Sequence, residues 1–388
     1  MHDRMDERED KMAADQMHRD DFFGADFSAS GMHRTPEVLC IGQAVVDCIT
    51  RNIQDSPDGT ARKTADSITL NVGGDAVNES VALSRMGHSA GLLCCVGDDL
   101  AGRIVLEEAR RHGVSTDAVT IMRELETPVA DIIVRADGSR SSVSSSAARL
   151  PGFEPDLKKA LQTYGSVRVI SFASLFRAPL DDAAVIRRLI RQAHESGAIV
   201  CADTKLPTFR KTALAELADV LPMVDYFFPN EEEAAYYTGE DAPLKAAEKL
   251  LSLGIKAVVI KRGAEGICAG HCCGAGYGVG DKTGVQNGTP DAGEAESRAG
   301  SGGTGAGAAD LFSLPAVPVN AVDTTGAGDH FAAGFIGALL QGKDFRDCCG
   351  AGLKAAARCI VHAGGSAFHE PDGRSPAGGP AGAGPQVG

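Results

Sequence analysis

The chain has 388 residues, 43% of them hydrophobic and 23% charged, and departs from ordinary globular composition mainly in its 47 glycines and lack of tryptophan. Thirty-eight Lys and Arg against 52 Asp and Glu leave a net charge of −14, a field that repels nucleic acid and acidic membrane surfaces, and no basic patch offsets it. No apolar run approaches the ~18–20 residues of a membrane helix and the first 35 residues are charged, so a cytoplasmic protein with neither nucleic-acid nor membrane partners is expected.

Residues 1–35 carry nine acidic and five basic side chains and few large hydrophobes; they read as a disordered acidic tail. From residue 36 short apolar runs alternate with helical patterns: a strand at 38–42, a helix at 78–87, a strand at 91–96 and a helix at 100–113. The texture changes at 127–146, where Val129, Asp131, Ile133 and Arg135 alternate with Ala130, Ile132 and Val134 around an Asp137-Gly138 turn. This hairpin, joined by 67–72, suggests a small β lid built from about 49–72 and 118–146. A strand at 167–172 follows. Asp181 and Asp182 can cap a helix whose Val185, Ile186, Leu189, Ile190 and Ala193 share one face, Gly197 can close it, and 199–202 is a buried strand. The theme repeats in a strand at 224–228, helices from about 231 and over 244–253, and a strand at 256–261. Segment 270–309 holds 13 glycines in 40 residues and reads as a flexible insertion; 371–388 reads as a Gly/Pro tail. Cys40, Cys94, Cys95 and Cys201 sit in apolar runs as small hydrophobes, which suits a reducing compartment.

Alternating β and α units with continuously apolar strands imply an α/β fold, a mostly parallel sheet with helices on both faces, in a single domain over 36–370. Ligands in such sheets bind at the carboxyl ends of the strands. The strongest chemical signal is Asp323-Thr324-Thr325-Gly326-Ala327-Gly328-Asp329, a glycine turn running into an apolar helix. Gly326 and Gly328 let the backbone approach a ligand, and the amides of a helix start favour phosphate there. Asp329 could accept a proton from a hydroxyl attacking that phosphate. The same residues also read as a helix cap and a chain turn. The second signal is Gly73-Gly74-Asp75-Ala76-Val77-Asn78, again entering a helix, with Asp47 just beyond the first strand. Carboxylate and amide groups beside a bare glycine backbone suit a polyol, while Asn78 as helix cap and Asp47 as a solvated strand end is the plain structural alternative. No Gly-x-x-x-x-Gly-Lys-Ser/Thr occurs, no dinucleotide fingerprint follows the first strand, and Cys268, His271, Cys272 and Cys273 lack paired zinc-binding arms.

The two motifs, in this order and at this separation, resemble the two signatures of the ribokinase/PfkB family of carbohydrate kinases. Gly73 to Glu79 is most similar to a bacterial subgroup of sugar kinases with poorly defined substrates. The resemblance implies a ribokinase-like fold and ATP-dependent transfer of phosphate to a sugar hydroxyl. It makes Asp329 the catalytic base, Gly326, Ala327 and Gly328 the anion hole, and Asp47, Gly73, Gly74 and Asn78 the sugar site. Asn230-Glu231-Glu232-Glu233 matches the family's Asn-x-x-Glu motif, so Asn230 and Glu233 would help place Mg²⁺ indirectly. Lys261, Gly263 and Gly266 resemble the nucleotide loop, with Thr325 and Lys205 also on the nucleotide side. The resemblance leaves open a monovalent cation and a homodimer. A nucleoside acceptor, or a non-catalytic carbohydrate-binding regulator that kept the fold, are the competing readings.

Overall fold

The computed structural model describes residues 35–56, 59–137, 139–207, 219–272 and 309–361. The tails expected at 1–35 and 371–388 lie outside the described residues almost entirely, as does the 270–309 insertion apart from its ends.

Among the described residues, the main sheet has eight strands: β1 (Val38–Ile41), β4 (Ala90–Leu93), β9 (Val169–Leu175), β10 (Ile199–Thr204), β11 (Tyr226–Phe228), β12 (Ala257–Lys261), β13 (Ile267–Cys272) and β14 (Ala309–Leu314). Their order is β14-β13-β12-β11-β10-β9-β1-β4. The six strands from β12 to β4 are parallel, and β13 and β14 add an antiparallel edge. Alternate side chains of β1 show why that strand is apolar throughout. Val38 and Cys40 enter one core with α1 (Asp75–Arg85), α2 (Leu100–Arg111), α7 (Ala327–Leu340) and α8 (Phe345–Ile360). Leu39 and Ile41 enter a second core with α3 (Leu157–Tyr164), α4 (Ala183–Glu195), α5 (Glu231–Thr238) and α6 (Pro243–Ser252). Both faces of the sheet are therefore covered, as the continuous apolar runs require. Asp182 caps α4 as expected, its carboxylate accepting from the amides of Ala184 and Val185. Cys40, Cys94, Cys95 and Cys201 are buried free thiols.

A second sheet, ordered β3-β2-β7-β8, forms the lid from β2 (Val45–Asp55), β3 (Lys63–Gly73), β7 (Val129–Val134) and β8 (Arg140–Ser144). Here the structure departs from the sequence reading. Asp47 is not at a strand end but inside β2, opposite Asn71 of β3. The run at 91–96 is broken at Cys94: β4 stays in the main sheet, while β5 (Cys95–Gly97) leaves it to pair with β6 (Thr120–Met122). Thr120–Met122, within the segment expected to reach the lid, therefore belongs to a separate two-stranded sheet. Helix α1 begins at Asp75, with Gly74 as its N-cap, so Asn78 sits inside the helix and does not cap it. Strands β13 and β14 pair through Cys272 and Ala309, so 270–272 and 309 are sheet residues rather than insertion.

Candidate active site

Strands β10, β11 and β12 end side by side, and each delivers charged residues to one place. Asp203 and Lys205 come from the end of β10, Asn230 and Glu233 from the step between β11 and α5, and Lys261 from the end of β12, where it bridges to Asn230. Facing them is the start of α7. Gly326 caps that helix with φ 75°, a left-handed conformation suited to glycine, and no side chain makes a capping hydrogen bond there. The first intrahelical bond runs from the His330 amide to the Gly326 carbonyl at 3.0 Å. The Gly328 and Asp329 amides are thereby left without intrahelical acceptors, whereas the Ala327 amide turns back to Thr324 O at 3.3 Å. Lys261 is paired with Asp203, and a Cβ on Gly328 would lie 3.2 Å from its ammonium nitrogen, so the cation stands beside the open amides. Together these make an anion cradle.

Asp329, in the first turn of α7, is only 5% exposed. Asn78 Nδ2 donates to its Oδ2 at 2.8 Å across 251 residues of sequence. Burial, and then the charge of Asp75, push the Asp329 carboxyl up to about 7 against the opposing effect of Lys205 and the Asn78 amide. Asp75, at the start of α1, accepts from Ser174 and pairs with Lys205 at 3.3 Å. Burial raises its carboxyl, but Lys205, Ser174 and Arg177 outweigh that and hold it below the usual range, while Lys205 itself is pushed up chiefly by Asp75. One turn along α1, Glu79 is 1% exposed, and burial moves it up to about 8. Asn230 and Glu233 form a reciprocal capping box, each side chain accepting the other's amide at 2.8 Å. Burial and then Asp203 raise Glu233 to about 7. Asp75, Asp203, Glu233 and Asp329 thus surround two lysines with a surplus of acid. Among the described residues no three His, Cys, Asp or Glu side chains gather closely enough to hold a metal ion.

Asn78, the partner of Asp329, also lines a cleft beneath the lid, together with Asp47, Asn71 and Gly73 at one end. Asp47 lies so close over Gly73 that a Cβ there would overlap its carboxylate; burial and then Asp75 raise it to about 6. Arg140 of β8 closes the other end. It donates to Thr325 Oγ1 at 2.6 Å and to Asp323 Oδ1 at 2.7 Å, tying the lid to the loop that leads into α7.

The candidates named from sequence thus fall into two groups. Asp47, Gly73 and Asn78 line the cleft with Thr325, which faces the lid, whereas Lys205, Asn230, Glu233, Lys261 and Gly328 gather where the ends of β10, β11 and β12 meet the start of α7. Gly74 carries the turn into α1 with φ 95°. Gly263 and Gly266 shape the β12–β13 turn, where a Cβ on Gly266 would strike Leu314 O. Sequence reasoning gave no role to Asp75, Glu79, Arg51 or Arg140. Asp75 and Glu79 stand inside the quoted motif as acids facing an apolar core, a signal that could have found them; the two arginines gave none, because only strand register brings them to the cleft.

Residues 35–282 and 300–372 match the sequence profile of the pfkB family carbohydrate kinases. The chain is 29% identical over 282 residues to an uncharacterized sugar kinase of Archaeoglobus fulgidus, covering 72% of this chain and 94% of that one. It is 26% identical over 335 residues to a ribokinase of Schizosaccharomyces pombe, covering 83% and 90%. Among solved structures, an Arabidopsis thaliana ribokinase complexed with ribose and ATP superposes with a TM-score of 0.66 at 19% identity, covering 85% of this chain and 94% of that one.

Proposed function

The chain belongs to the pfkB family of carbohydrate kinases, and from that premise we propose that it transfers the γ-phosphoryl group of ATP to a hydroxyl of a sugar or sugar derivative, with Asp329 as general base. The observation that carries this reading is the position of Asp329: buried at a helix start whose open amides stand beside Lys261, and hydrogen-bonded to Asn78, which lines the lid-covered cleft. Asn78 occupies Oδ2, which leaves Oδ1 for the proton of the accepting hydroxyl. As the hydroxyl oxygen bonds to phosphorus, its proton passes to Asp329 and the bond to ADP breaks. The amides of Gly328 and Asp329, with Lys261 and Lys205, meet the charge on the transferring group. Asp47 and Asn78 hold the acceptor in line, and the lid keeps water from taking its place. Magnesium ion, bound through the nucleotide phosphates and their waters, would neutralise their charge. Asn230 and Glu233, whose side chains cap α5, fit an indirect role near it. The described cysteines are all free thiols, in keeping with a reducing cytoplasm.

The test is ADP release by the purified protein with ATP and Mg²⁺ across a panel of sugars and nucleosides, with product mapping. Turnover on a sugar is expected. Turnover confined to nucleosides would replace the acceptor class, and sugar binding without turnover under any nucleotide would replace the kinase reading with a non-catalytic one.

A further inference from the structure

Strand register sets two arginines in one row of the lid. Arg51 of β2 lies opposite Val134 of β7, and Val134 lies opposite Arg140 of β8. Neighbouring strands are about 4.8 Å apart, so the two arginine backbones stand roughly 10 Å apart with one valine between them. Opposed residues of a sheet point to the same face, and all three line the cleft. Arg140 is engaged by Asp323 and Thr325. Arg51 is half-buried and has no hydrogen-bond or ion-pair partner among the described residues. The row therefore brings two guanidinium charges and a single carboxylate, Asp323, to one end of the cleft, in a chain whose net charge is −14. The cleft's other carboxylate, Asp47, is four residues back along β2, about 13 Å away, at the end beside Asn78 and Asp329.

A guanidinium drawn partly out of water with no counter-ion loses solvation that nothing in the protein returns. Its planar fork matches a carboxylate or phosphate in two parallel hydrogen bonds. From this arrangement we infer that the acceptor is an anionic sugar: its reacting hydroxyl lies at Asp329, and a carboxylate or phosphate group at its remote end is held between Arg51 and Arg140. Ile49 and Ile132 line the cleft between the two ends, where the apolar face of a sugar carbon chain can rest.

This inference rests on the cleft being the acceptor site. Its test is ADP release by the full-length protein with ATP and Mg²⁺ on matched pairs: gluconate and glucose, fructose 6-phosphate and fructose, ribose 5-phosphate and ribose. The anionic member of at least one pair should exceed its neutral partner in kcat/KM by about tenfold or more. Arg51→Met should lower that value by about 10- to 100-fold, chiefly through KM, so that the ratio within the pair collapses toward one. Arg51→Lys should restore part of it. Whether the acid or the phosphate arm leads identifies the anion. Neutral partners turned over as well or better, with Arg51→Met affecting both members alike, would overturn the inference while leaving the kinase reading intact. If no pair is turned over, calorimetric titration of the same compounds separates the two: anion-selective binding lost in Arg51→Met supports the subsite although phosphoryl transfer fails, and binding without anion preference overturns the subsite.

Discussion

Asp329 is asked to be a base in a site that already holds Asp75, Asp203 and Glu233, and that crowding sets its pH behaviour. Burial and Asp75 raise its carboxyl to about 7, and only the ionised form can take a proton. The value of kcat/KM for the acceptor should therefore fall about tenfold per pH unit below about pH 7 and level off above it, with the midpoint belonging to the coupled acid cluster rather than to one residue. Asp329→Asn should lower kcat by roughly 10²–10⁴-fold or more while nucleotide binding persists. Because the folded-state value is raised from 3.8 to about 7, the carboxyl lowers stability progressively as the pH rises between these values and the loss is complete above about pH 7, so the Asn variant should melt no lower than its parent at pH 8. Activity within a few-fold of the parent would remove Asp329 from its role. Asp47→Ala should raise the acceptor's KM and also lower kcat, together worth about 10- to 150-fold in kcat/KM for a lost charge-assisted hydrogen bond, with nucleotide affinity unchanged; the opposite pattern would reverse the two ends of the site. Asp329 and Asn78 stood out in the sequence because their motifs pair a glycine turn with a polar side chain in the first turn of a helix. Arg51 and Arg140 did not, since their meeting depends on a register across three strands that no local spacing encodes.

The elements explain which parts of the fold could be read in advance. Strands buried on both faces are apolar along most of their length, so β1, β9, β10 and β12 stand out as runs. The lid strands β2 and β3 mix Asp47, Arg51, Asn71 and Thr69 with isoleucines, because one face meets a polar cleft and the other is exposed, with Ile68 and Leu70 more than half exposed. Their true lengths were hidden for that reason, and with them the place of Asp47. Helix α1 was read three residues late because its cap is a bare glycine: Gly74 makes no side-chain capping bond, and its φ of 95° with ψ of 132° is open to few residues but glycine. A Cβ there would also strike Gln43 O. Gly74→Ala should therefore cost about 1–3 kcal/mol and lower the melting temperature by several degrees. By shifting the start of α1 it should also weaken acceptor turnover through Asn78 and Asp75. Wild-type stability and KM in this variant would show that the helix start has slack to spare.

At the scale of the whole molecule, the two cores on opposite faces of the main sheet fix the strand ends, and the strand ends fix the site. Residues 273–308 lie outside the described residues, yet both ends of that stretch are set by the antiparallel pairing of β13 and β14, continuous from Ile267 opposite Leu314 to Cys272 opposite Ala309. Their Gly-rich composition was plain in the sequence, but the limits were not: His271 and Cys272 look like part of the same low-complexity run until the register shows them paired. Replacing 273–308 by an Asn-Gly turn should therefore keep the edge of the sheet, since a two-residue type I′ loop matches strands already in register. Loop-closure entropy changes by only about 0.6 kcal/mol for each halving of length, and it changes in the stabilising direction. The shortened protein should melt cooperatively at or slightly above the parent's temperature, and ADP release on its acceptor should stay within a few-fold, because Lys261 and the Gly266 turn belong to the opposite end of this hairpin. A broadened or lost transition would mean that the replaced residues brace β13 and β14. An intact transition with a raised KM for ATP alone would instead assign them to the nucleotide side of the site.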